Sequence, residues 1–328
     1  MSKPNETSGE LTTRRGNSFS SEAGLADLIQ HFLLAQDIKP SSKHLYRIGL
    51  TRFLVWLKEQ EEREPTRQTI LAYKADLNAK RFSALTISNY LVAVRRFFEW
   101  AEGVKLYPNI AKGIKGAKRP KGFRKDPLTV AQVKELLNTI DCSTPLGKRD
   151  FALLNLLIRT GIRTIEVVRA NVGDIRQESG EALLWIQGKG RDAKDEFVLL
   201  TEKTLKPIQA YLSERSKPVD AEPLFASLSD MNRGHGLTTR SISRIVKGHL
   251  RRIHLNSERL TAHSLRHTAV TLCLQGGATI QEAQALARHA DINTTLIYAH
   301  NIDRLAQAPE RKVDAALNGL TEEKEVIA

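Results

Sequence analysis

The sequence predicts a mainly α-helical protein of the α+β type, made of two domains and containing one small β-hairpin. Three observations lead to this prediction. Most of the chain carries apolar residues at helical spacing, residues 182–200 instead hold two short apolar runs separated by Gly and Asp, and a basic stretch at 112–127 divides the chain. With 328 residues, of which 41% are hydrophobic, the chain is long enough for two buried cores.

The first region reads from the amino terminus as a polar tail followed by helices. Residues 1–20 are rich in Ser, Thr, Asn and Gly, so we expect a disordered tail. Residues 21–111 predict a small helical domain, because apolar side chains recur at helical spacing within 41–59 and 83–101. Basic residues are interleaved with this pattern, which predicts a helical domain with a basic face.

The stretch from 112 to 127 is the predicted linker. Within residues 112–125, seven of fourteen are Lys or Arg, three are Gly and none is acidic. Such a segment repels itself and packs poorly. It is either a plain linker or a linker that lies along DNA phosphates.

The second region, 128–303, predicts helices around one hairpin. A helical pattern begins at Thr129, and an apolar helix covers 149–159 until Gly161 ends it. The hairpin follows at 182–200, and helical patterns resume beyond it. Residues 304–328 form an amphipathic stretch that we expect to dock onto a neighbouring protomer, with packing on its own domain as the alternative.

Charge points to a polyanionic partner. Lys and Arg number 50 against 37 Asp and Glu, giving a formal net charge of +13. Nucleic acid is the usual partner of such a chain, although a ribosome-associated or merely basic protein has the same balance. The basic residues expected to contact DNA are Lys43, Arg47, Arg95, Arg96, Lys118, Arg119, Lys121 and Arg124.

Other classes are disfavoured by what the sequence lacks. Cys142 and Cys273 are the only cysteines, so neither a disulfide framework nor a Cys-based zinc site is expected. The sequence shows no signal-peptide pattern and no run of about 18 apolar residues. We therefore expect no membrane association and a cytoplasmic location.

Four segments of the second region carry residues suited to phosphate chemistry. Arg163 and Glu166 are three apart, so the carboxylate could fix the guanidinium while other donors face a phosphate. Lys189 lies between two Gly residues in the hairpin turn. Taken alone, the first pair could be a surface ion pair and the lysine merely solvated.

The other two segments supply histidines, an arginine and a tyrosine. His263, Arg266 and His267 share one helix face. Two His at this spacing also suit a metal, but the zincin pattern needs Glu where Ser264 stands, so no metal site is predicted. His289 precedes Tyr298, a residue that could equally be a half-buried helix aromatic. A free Tyr, of pKa about 10, needs cations and proton-transfer groups to act as a nucleophile.

The order of these segments resembles the tyrosine recombinase (phage integrase) family, and its Xer-like members in particular. The matching stretches are TGIRTIEVVRANVGDI, the GKG hairpin, HSLRHTAVTLCLQGG and ARHADINTTLIYAH. The helical first region is similar to the SAM-like core-binding domain of that family. The resemblance covers about residues 25–305 and implies a C-shaped clamp on DNA.

The resemblance also implies roles for the site residues. Arg163 and Arg266 would bind the scissile phosphate, and Tyr298 would attack it to form a 3′-phosphotyrosyl link. Lys189 would protonate the leaving 5′-oxygen, and His263 would act as general base or donor. His289 would hydrogen-bond the phosphate, and Glu166 would orient the first arginine.

The activity implied is site-specific recombination through a Holliday junction, without metal, ATP or any other cofactor. The partners implied are a double-stranded recombination site, three further protomers in a tetramer on two sites, and a second recombinase or an accessory DNA-bending protein. A type IB topoisomerase and a DNA-binding regulator on the same scaffold are the alternatives.

The segment before the tyrosine departs from the family pattern. The family commonly has Leu-Gly-His before the tyrosine, whereas this chain has Ala287-Arg288-His289. We expect Arg288, a bulky cation beside the site, to touch DNA or a neighbouring subunit.

Overall fold

A computed structural model of the chain describes residues 22–60, 64–118, 125–188, 190–216, 218–306, 310–311 and 313–317. Within these ranges, the structure describes only the backbone of Glu22, Ala23, Leu25 and residues 300–306. The chain divides into two compact units, Met1–Lys121 (unit 1) and Gly122–Ala328 (unit 2). Among the described ranges, every helix is too short or too polar to cross a membrane. The predicted tail at 1–20 lies outside the described residues.

Unit 1 contains four helices in its described part. They are α1 (Glu22–Leu34), α2 (Pro40–Glu59), α3 (Arg67–Ala79) and α4 (Ala84–Gly103). Pro40 occupies the start of α2, where a missing N–H costs nothing. Ser83 caps α4 by accepting a hydrogen bond from the Thr86 N–H at 3.1 Å. The helices predicted at 41–59 and 83–101 are therefore confirmed.

The core of unit 1 is aromatic. Phe53 of α2 contacts Tyr73 of α3 with ring centroids 5.1 Å apart, and Phe97 and Phe98 of α4 lie 5.2 Å apart. All of these rings are fully buried. Aromatic pairs at such distances add to the free energy of burial. Leu45 and Ile48, which contributed to the helical pattern of α2, are instead exposed.

The described residues of the predicted linker fall into two parts, and each part contacts the unit to which it belongs. In unit 1, Ile114 is buried, its carbonyl accepts from Arg95 at 3.3 Å, and the Lys115 carbonyl accepts from Lys74 at 2.9 Å. In unit 2, Asp126 pairs with Arg259 at 2.6 Å. Residues 119–124, which include the predicted DNA contacts Arg119, Lys121 and Arg124, lie outside the described residues.

Unit 2 is built around a buried helix. Its helices are α5 (Val130–Asn138), α6 (Pro145–Thr160), α7 (Thr164–Arg169), α8 (Glu202–Leu212), α9 (Thr239–Arg252), α10 (Ala262–Gln275), α11 (Ile280–Ala287) and α12 (Asn293–Ala306). The apolar helix predicted from 149 is α6, whose leucines Leu153, Leu154, Leu156 and Leu157 are buried. Helices α8 and α10 pack against it.

One small antiparallel sheet lies in unit 2, with strand order β1 (Ile175–Glu178), β2 (Glu181–Ile186), β3 (Glu196–Leu199). The predicted hairpin is confirmed by the pairing of β2 with β3, from Leu183↔Leu199 to Ile186↔Glu196. Strand β1 was not predicted. It joins β2 through Ser179 and Gly180, whose φ values of 52° and 83° suit a two-residue hairpin turn.

The segment between α8 and α9 also differs from prediction. The sequence patterns indicated helices to the end of the chain, but the described residues of this segment are mostly irregular. Pro223 of this segment forms an isolated bridge with Asn171, and Ala226 forms another with Gly236. Proline and glycine at these positions disfavour helix, which explains why the prediction was wrong here.

Candidate active site

Four segments of unit 2 bring the candidate residues together. Arg163 and Glu166 lie at the start of α7, and His263, Arg266 and His267 lie on α10. The turn after α11 carries Arg288 and His289, and α12 carries Tyr298. Helices α10, α11 and α12 contact one another in pairs, which fixes their side chains in a common site.

Gly161 forms the junction between α6 and the site. Its φ of 59° places it in the left-handed region, where it ends α6 as predicted. A Cβ at this position would lie 3.3 Å from the Cβ of Ala269. Its carbonyl also accepts a hydrogen bond from Arg266. The glycine thus sets both the chain direction and one anchor of a catalytic candidate.

Arg163 and Glu166 form the predicted pair. Arg163 Nη1 donates to Glu166 Oε1 at 2.6 Å, and the Arg163 backbone N–H donates to Oε2 at 2.8 Å. Glu166 is fully buried, while about a quarter of the Arg163 side chain, 26%, is exposed. The pair is therefore no surface ion pair, because its carboxylate is withdrawn from solvent while its guanidinium can still meet a ligand.

Arg288 is the second partner of Glu166. Its Nη2 donates to Glu166 Oε2 at 2.9 Å, and its side chain is only 9% exposed. The expectation that Arg288 reaches outward to DNA or a neighbouring subunit is wrong, because the side chain turns inward to this buried carboxylate. Burial alone would raise the pKa of Glu166, but the Arg288 charge and the bonds from Arg163 outweigh it and lower that pKa.

Arg266 is buried on α10. Its two terminal nitrogens donate to the carbonyls of Gly161 and Ala287. Burial, followed by the charges of Arg163 and Arg288, lowers the pKa of Arg266 to about 9. The guanidinium remains cationic at neutral pH, and its lowered pKa reflects burial first and the neighbouring guanidinium charges second.

His289 and His267 flank Tyr298. The His289 ring centroid lies 6.2 Å from that of Tyr298, and its Nδ1 is 3.0 Å from Thr295 Oγ1. The His267 centroid lies 5.1 Å from that of Tyr298. Burial, followed by neighbouring cationic groups, lowers the pKa of each histidine to about 4. Both rings are therefore neutral at pH 7.

His263 is exposed and lies next to His267. Its ring centroid is 4.7 Å from that of His267. Desolvation, then the charges of Arg266, Arg163 and Lys125, lowers the pKa of His263. Because it is neutral and open to solvent on one side, it can exchange a proton with a ligand.

Tyr298 is buried in this structure, with 4% of its surface exposed. It packs in a small apolar cluster with Val270, Ala283 and Ala287. Burial raises the pKa of Tyr298 to about 12, although the charge of Arg266 opposes the shift. The Tyr298 hydroxyl is thus a neutral phenol, and the positive charge of Arg266 favours its ionised form.

The remaining predicted residues are placed as follows. Lys189 lies outside the described residues, but its neighbour Gly188 is described, and the Gly188 carbonyl accepts from Arg169 at 3.2 Å. Over the part of the chain that the structure describes, no three His, Cys, Asp or Glu residues are grouped to hold a metal ion.

Sequence reasoning missed three features of the site. These are the inward contact of Arg288, the Thr295 hydroxyl beside His289, and the packing of His267 on Tyr298. Thr295 and Tyr298 are three apart on α12, a spacing that places them on one helix face. The spacing of Thr295 and Tyr298 could therefore have indicated their proximity. No such pattern indicates that Arg288, directly after α11, turns its side chain inward.

Comparison with known proteins identifies the family. The Phage integrase family profile matches residues 127–304, and the profile of the N-terminal SAM-like domain of phage integrases matches residues 25–107. The chain belongs to the phage integrase family.

Relatives narrow this assignment. The chain is 31% identical to tyrosine recombinase XerC of Herpetosiphon aurantiacus, over 80% of this chain and 88% of that protein. It is 29% identical to tyrosine recombinase XerD of Listeria monocytogenes, over 84% of this chain and 94% of that protein. It is accordingly an Xer-like tyrosine recombinase, an enzyme of site-specific recombination.

Solved structures share the fold. XerH recombinase bound to a palindromic difH substrate matches with a TM-score of 0.67 at 23% identity, covering 88% of this chain and 84% of that one. A lambda integrase dimer bound to a COC′ core site matches with a TM-score of 0.65 at 16% identity, covering 84% and 76%. The predicted fold class, mainly helical with a small β-sheet, is confirmed.

Proposed function

We propose that this recombinase cleaves and rejoins DNA strands through a covalent 3′-phosphotyrosyl intermediate at Tyr298. The observation that carries the proposal is the enclosure of Tyr298 by two neutral histidine rings, with the charge of Arg266 acting on its hydroxyl. A buried phenol beside a fixed guanidinium is suited to attack a phosphate that the same guanidinium binds.

The proposed step balances as a transesterification. The Tyr298 oxygen forms a bond to phosphorus while the bond from phosphorus to the 5′-oxygen breaks. The phenol proton passes to His263, and a proton from Lys189 passes to the leaving 5′-oxygen. Arg163 and Arg266 stabilise the negative charge of the pentavalent transition state, a type of contribution worth about 10²–10³ in rate for one donor.

Rejoining reverses the same step. The 5′-hydroxyl of a second strand attacks the phosphotyrosine, and Tyr298 leaves with its proton restored. Because one ester bond replaces another, the free energy of the bond is kept and no ATP is consumed. Exchange of one strand pair produces a Holliday junction, and exchange of the second pair resolves it.

We propose that both units contact the DNA. In unit 1, Lys43 and Arg47 lie on α2, with Arg47 exposed, and Arg96 is exposed on α4 beside Glu99. Arg95 is partly buried and donates to the Ile114 carbonyl, so it is better suited to hold the chain than to meet phosphate. In the linker, Lys118 is exposed.

We further propose a tetramer on two recombination sites, assisted by a second recombinase or a DNA-bending protein. Known relatives support the DNA partner, since XerH is bound to its difH substrate and lambda integrase to a core site. The net charge of +13 suits this partner. A DNA substrate also implies a cytoplasmic, nucleoid-associated location.

The proposal is tested by covalent capture. A library of duplexes, each nicked near a randomised core so that the released end diffuses away, is incubated with the enzyme, and adducts are recovered and sequenced. We expect an enriched site and an adduct that Tyr298→Phe abolishes. Adducts without an enriched site, together with relaxation of supercoiled plasmid, would instead indicate a type IB topoisomerase. Binding without any adduct would indicate a regulator.

A further inference from the structure

Arg288 adopts a backbone conformation that its side chain does not favour. It ends α11 at φ 51° and ψ 49°, in the left-handed region. Glycine occupies this region without strain, whereas an L side chain with a Cβ does not. The reason for an arginine here must therefore be sought in the contacts of its side chain.

The Arg288 guanidinium lies between two acceptors in unit 2. Nη1 donates to the Leu286 carbonyl at 2.9 Å, and Nη2 donates to Glu166 Oε2 at 2.9 Å. Nε is buried and finds no hydrogen-bond partner among the residues that the structure describes. The planar guanidinium is thus fixed at both terminal nitrogens.

The main chain of Arg288 contacts Arg163, the other partner of Glu166. Its carbonyl accepts a hydrogen bond from Arg163 Nη2 at 3.0 Å. The Arg163 Nη1 is meanwhile held by Glu166 Oε1 at 2.6 Å. Arg288 therefore touches both members of the pair, with its carbonyl on Arg163 and its side chain on Glu166.

The charges favour a role in organising the site. Arg163, Arg266 and Arg288 surround one carboxylate, so this site carries an excess of positive charge. Their mutual repulsion would push Arg163 towards solvent unless it is restrained. Glu166 restrains it only while its carboxylate keeps one orientation, and Arg288 Nη2 is the side-chain donor that holds Oε2.

We infer that Arg288 is a positioning residue for DNA cleavage, which holds the Glu166 carboxylate and the Arg163 guanidinium in the orientation that receives the scissile phosphate. This inference rests on the proposed function of Tyr298. It differs from a DNA-contacting role, because Arg288 acts through Glu166 and touches no phosphate itself.

The test uses Arg288→Gly, which keeps the turn because glycine suits its backbone. Single-turnover cleavage at saturating enzyme is measured on the captured nicked duplex, together with the Kd for DNA at several salt concentrations. We expect cleavage to slow by up to about 10²-fold, the loss that a misplacement of about 1 Å can cause. We expect the salt dependence of Kd to stay at the wild-type slope.

Three further variants complete the test. Arg81→Gly is matched in backbone, because Arg81 is also an arginine in the left-handed region, with φ 56°, but it is exposed and belongs to unit 1. It should cleave at the wild-type rate. Arg47→Ala removes a proposed phosphate contact and should lower the salt slope by about one. Arg288→Lys, which keeps the charge without the planar fork, should restore part of the cleavage rate.

A double-mutant cycle with Glu166→Gln identifies the route of the effect. If Arg288 acts through Glu166, the loss caused by Arg288→Gly shrinks towards none in the Glu166→Gln background. Equal losses in both backgrounds would overturn the inference. So would wild-type cleavage by Arg288→Gly, or a fall in salt slope matching that of Arg47→Ala. Absence of any adduct with the wild-type enzyme would instead refute the proposed function of Tyr298.

Discussion

Glu166 and Arg288, which are 122 residues apart in sequence, form a buried ion pair 2.9 Å long in the candidate active site. The carboxylate also pairs with Arg163 at 2.6 Å. A fully buried carboxylate shared by two arginines neutralises part of the positive charge of this site. Stability and the orientation of Arg163 therefore depend on the same residue.

Replacement of Glu166 by Gln should destabilise the enzyme. Two guanidinium groups would lose their counter-charge inside the protein, and leaving a buried charge unpaired costs about 3–5 kcal/mol. We expect a loss of about 3 kcal/mol in the free energy of unfolding, measured by urea denaturation at pH 7. Glu99→Gln, which removes an exposed pair with Arg96, should change stability by less than about 1 kcal/mol.

The same variant should differ from wild type in its acid stability. The pKa of Glu166 is lowered in the folded state, so the unfolded chain takes up this proton first as the pH falls. Its stabilisation is present above the unfolded pKa, about 4.5, and is lost as the pH falls through the folded pKa. The stability gap between wild type and Glu166→Gln should narrow from pH 5 to pH 3. A gap that stays constant over that range would contradict the assignment.

Tyr298 should resist ionisation in the free enzyme. Its pKa is raised to about 12, whereas an ordinary tyrosine ionises at about 10. The difference in tyrosinate absorbance between wild type and Tyr298→Phe should therefore be absent at pH 10 and emerge only near pH 12. In denaturant the same difference should appear at about pH 10, which serves as the control. Half-ionisation of Tyr298 at pH 10 in the folded enzyme would show that the hydroxyl is not buried in solution.

His267 should make the enzyme sensitive to mild acid. Its pKa is about 4 in the folded state and about 6.5 when unfolded, so the unfolded chain binds the proton first as the pH falls. Stability should consequently fall between pH 6.5 and pH 4, by up to about 3 kcal/mol from this residue. His267→Gln should lose less stability over that range, as measured by urea midpoints at both ends. Equal losses in the two proteins would contradict this origin.

The sequence predicts best where local chemistry decides the structure. Helix α6 and its end at Gly161 follow from apolar spacing and from the left-handed preference of glycine. The β2–β3 hairpin follows from two apolar runs with turn residues between them. Strand β1 was missed because its last three residues are exposed and polar, so it lacks the alternation that indicates a half-buried strand.

Tertiary contacts account for the other differences. Leu45 and Ile48 fit the helical period of α2 but lie on its exposed side, because the buried aromatic residues determine which face packs inward. The inward turn of Arg288 depends on a carboxylate 122 residues away. The order of the catalytic candidates predicted that they would meet in one site. The contact of Arg288 with Glu166 could not be predicted, since no local pattern encodes it.

Two glycine-to-alanine changes should have opposite effects. Gly161→Ala forces a side chain into the left-handed region and brings its Cβ to 3.3 Å from that of Ala269. We expect a loss of about 1–2 kcal/mol in the free energy of unfolding. Gly248→Ala lies in α9 with open space around the new Cβ and should gain about 0.5–1 kcal/mol.

The Gly161 variant should also weaken the site, because the Gly161 carbonyl anchors Arg266. A shift of this carbonyl displaces the guanidinium that acts on Tyr298, so adduct formation should slow at temperatures where the variant remains folded. Gly248→Ala should form the adduct at the wild-type rate. If Gly161→Ala lost stability but kept full cleavage, the carbonyl would be only a structural acceptor for Arg266. If both variants gained stability, the left-handed conformation of Gly161 would itself be contradicted.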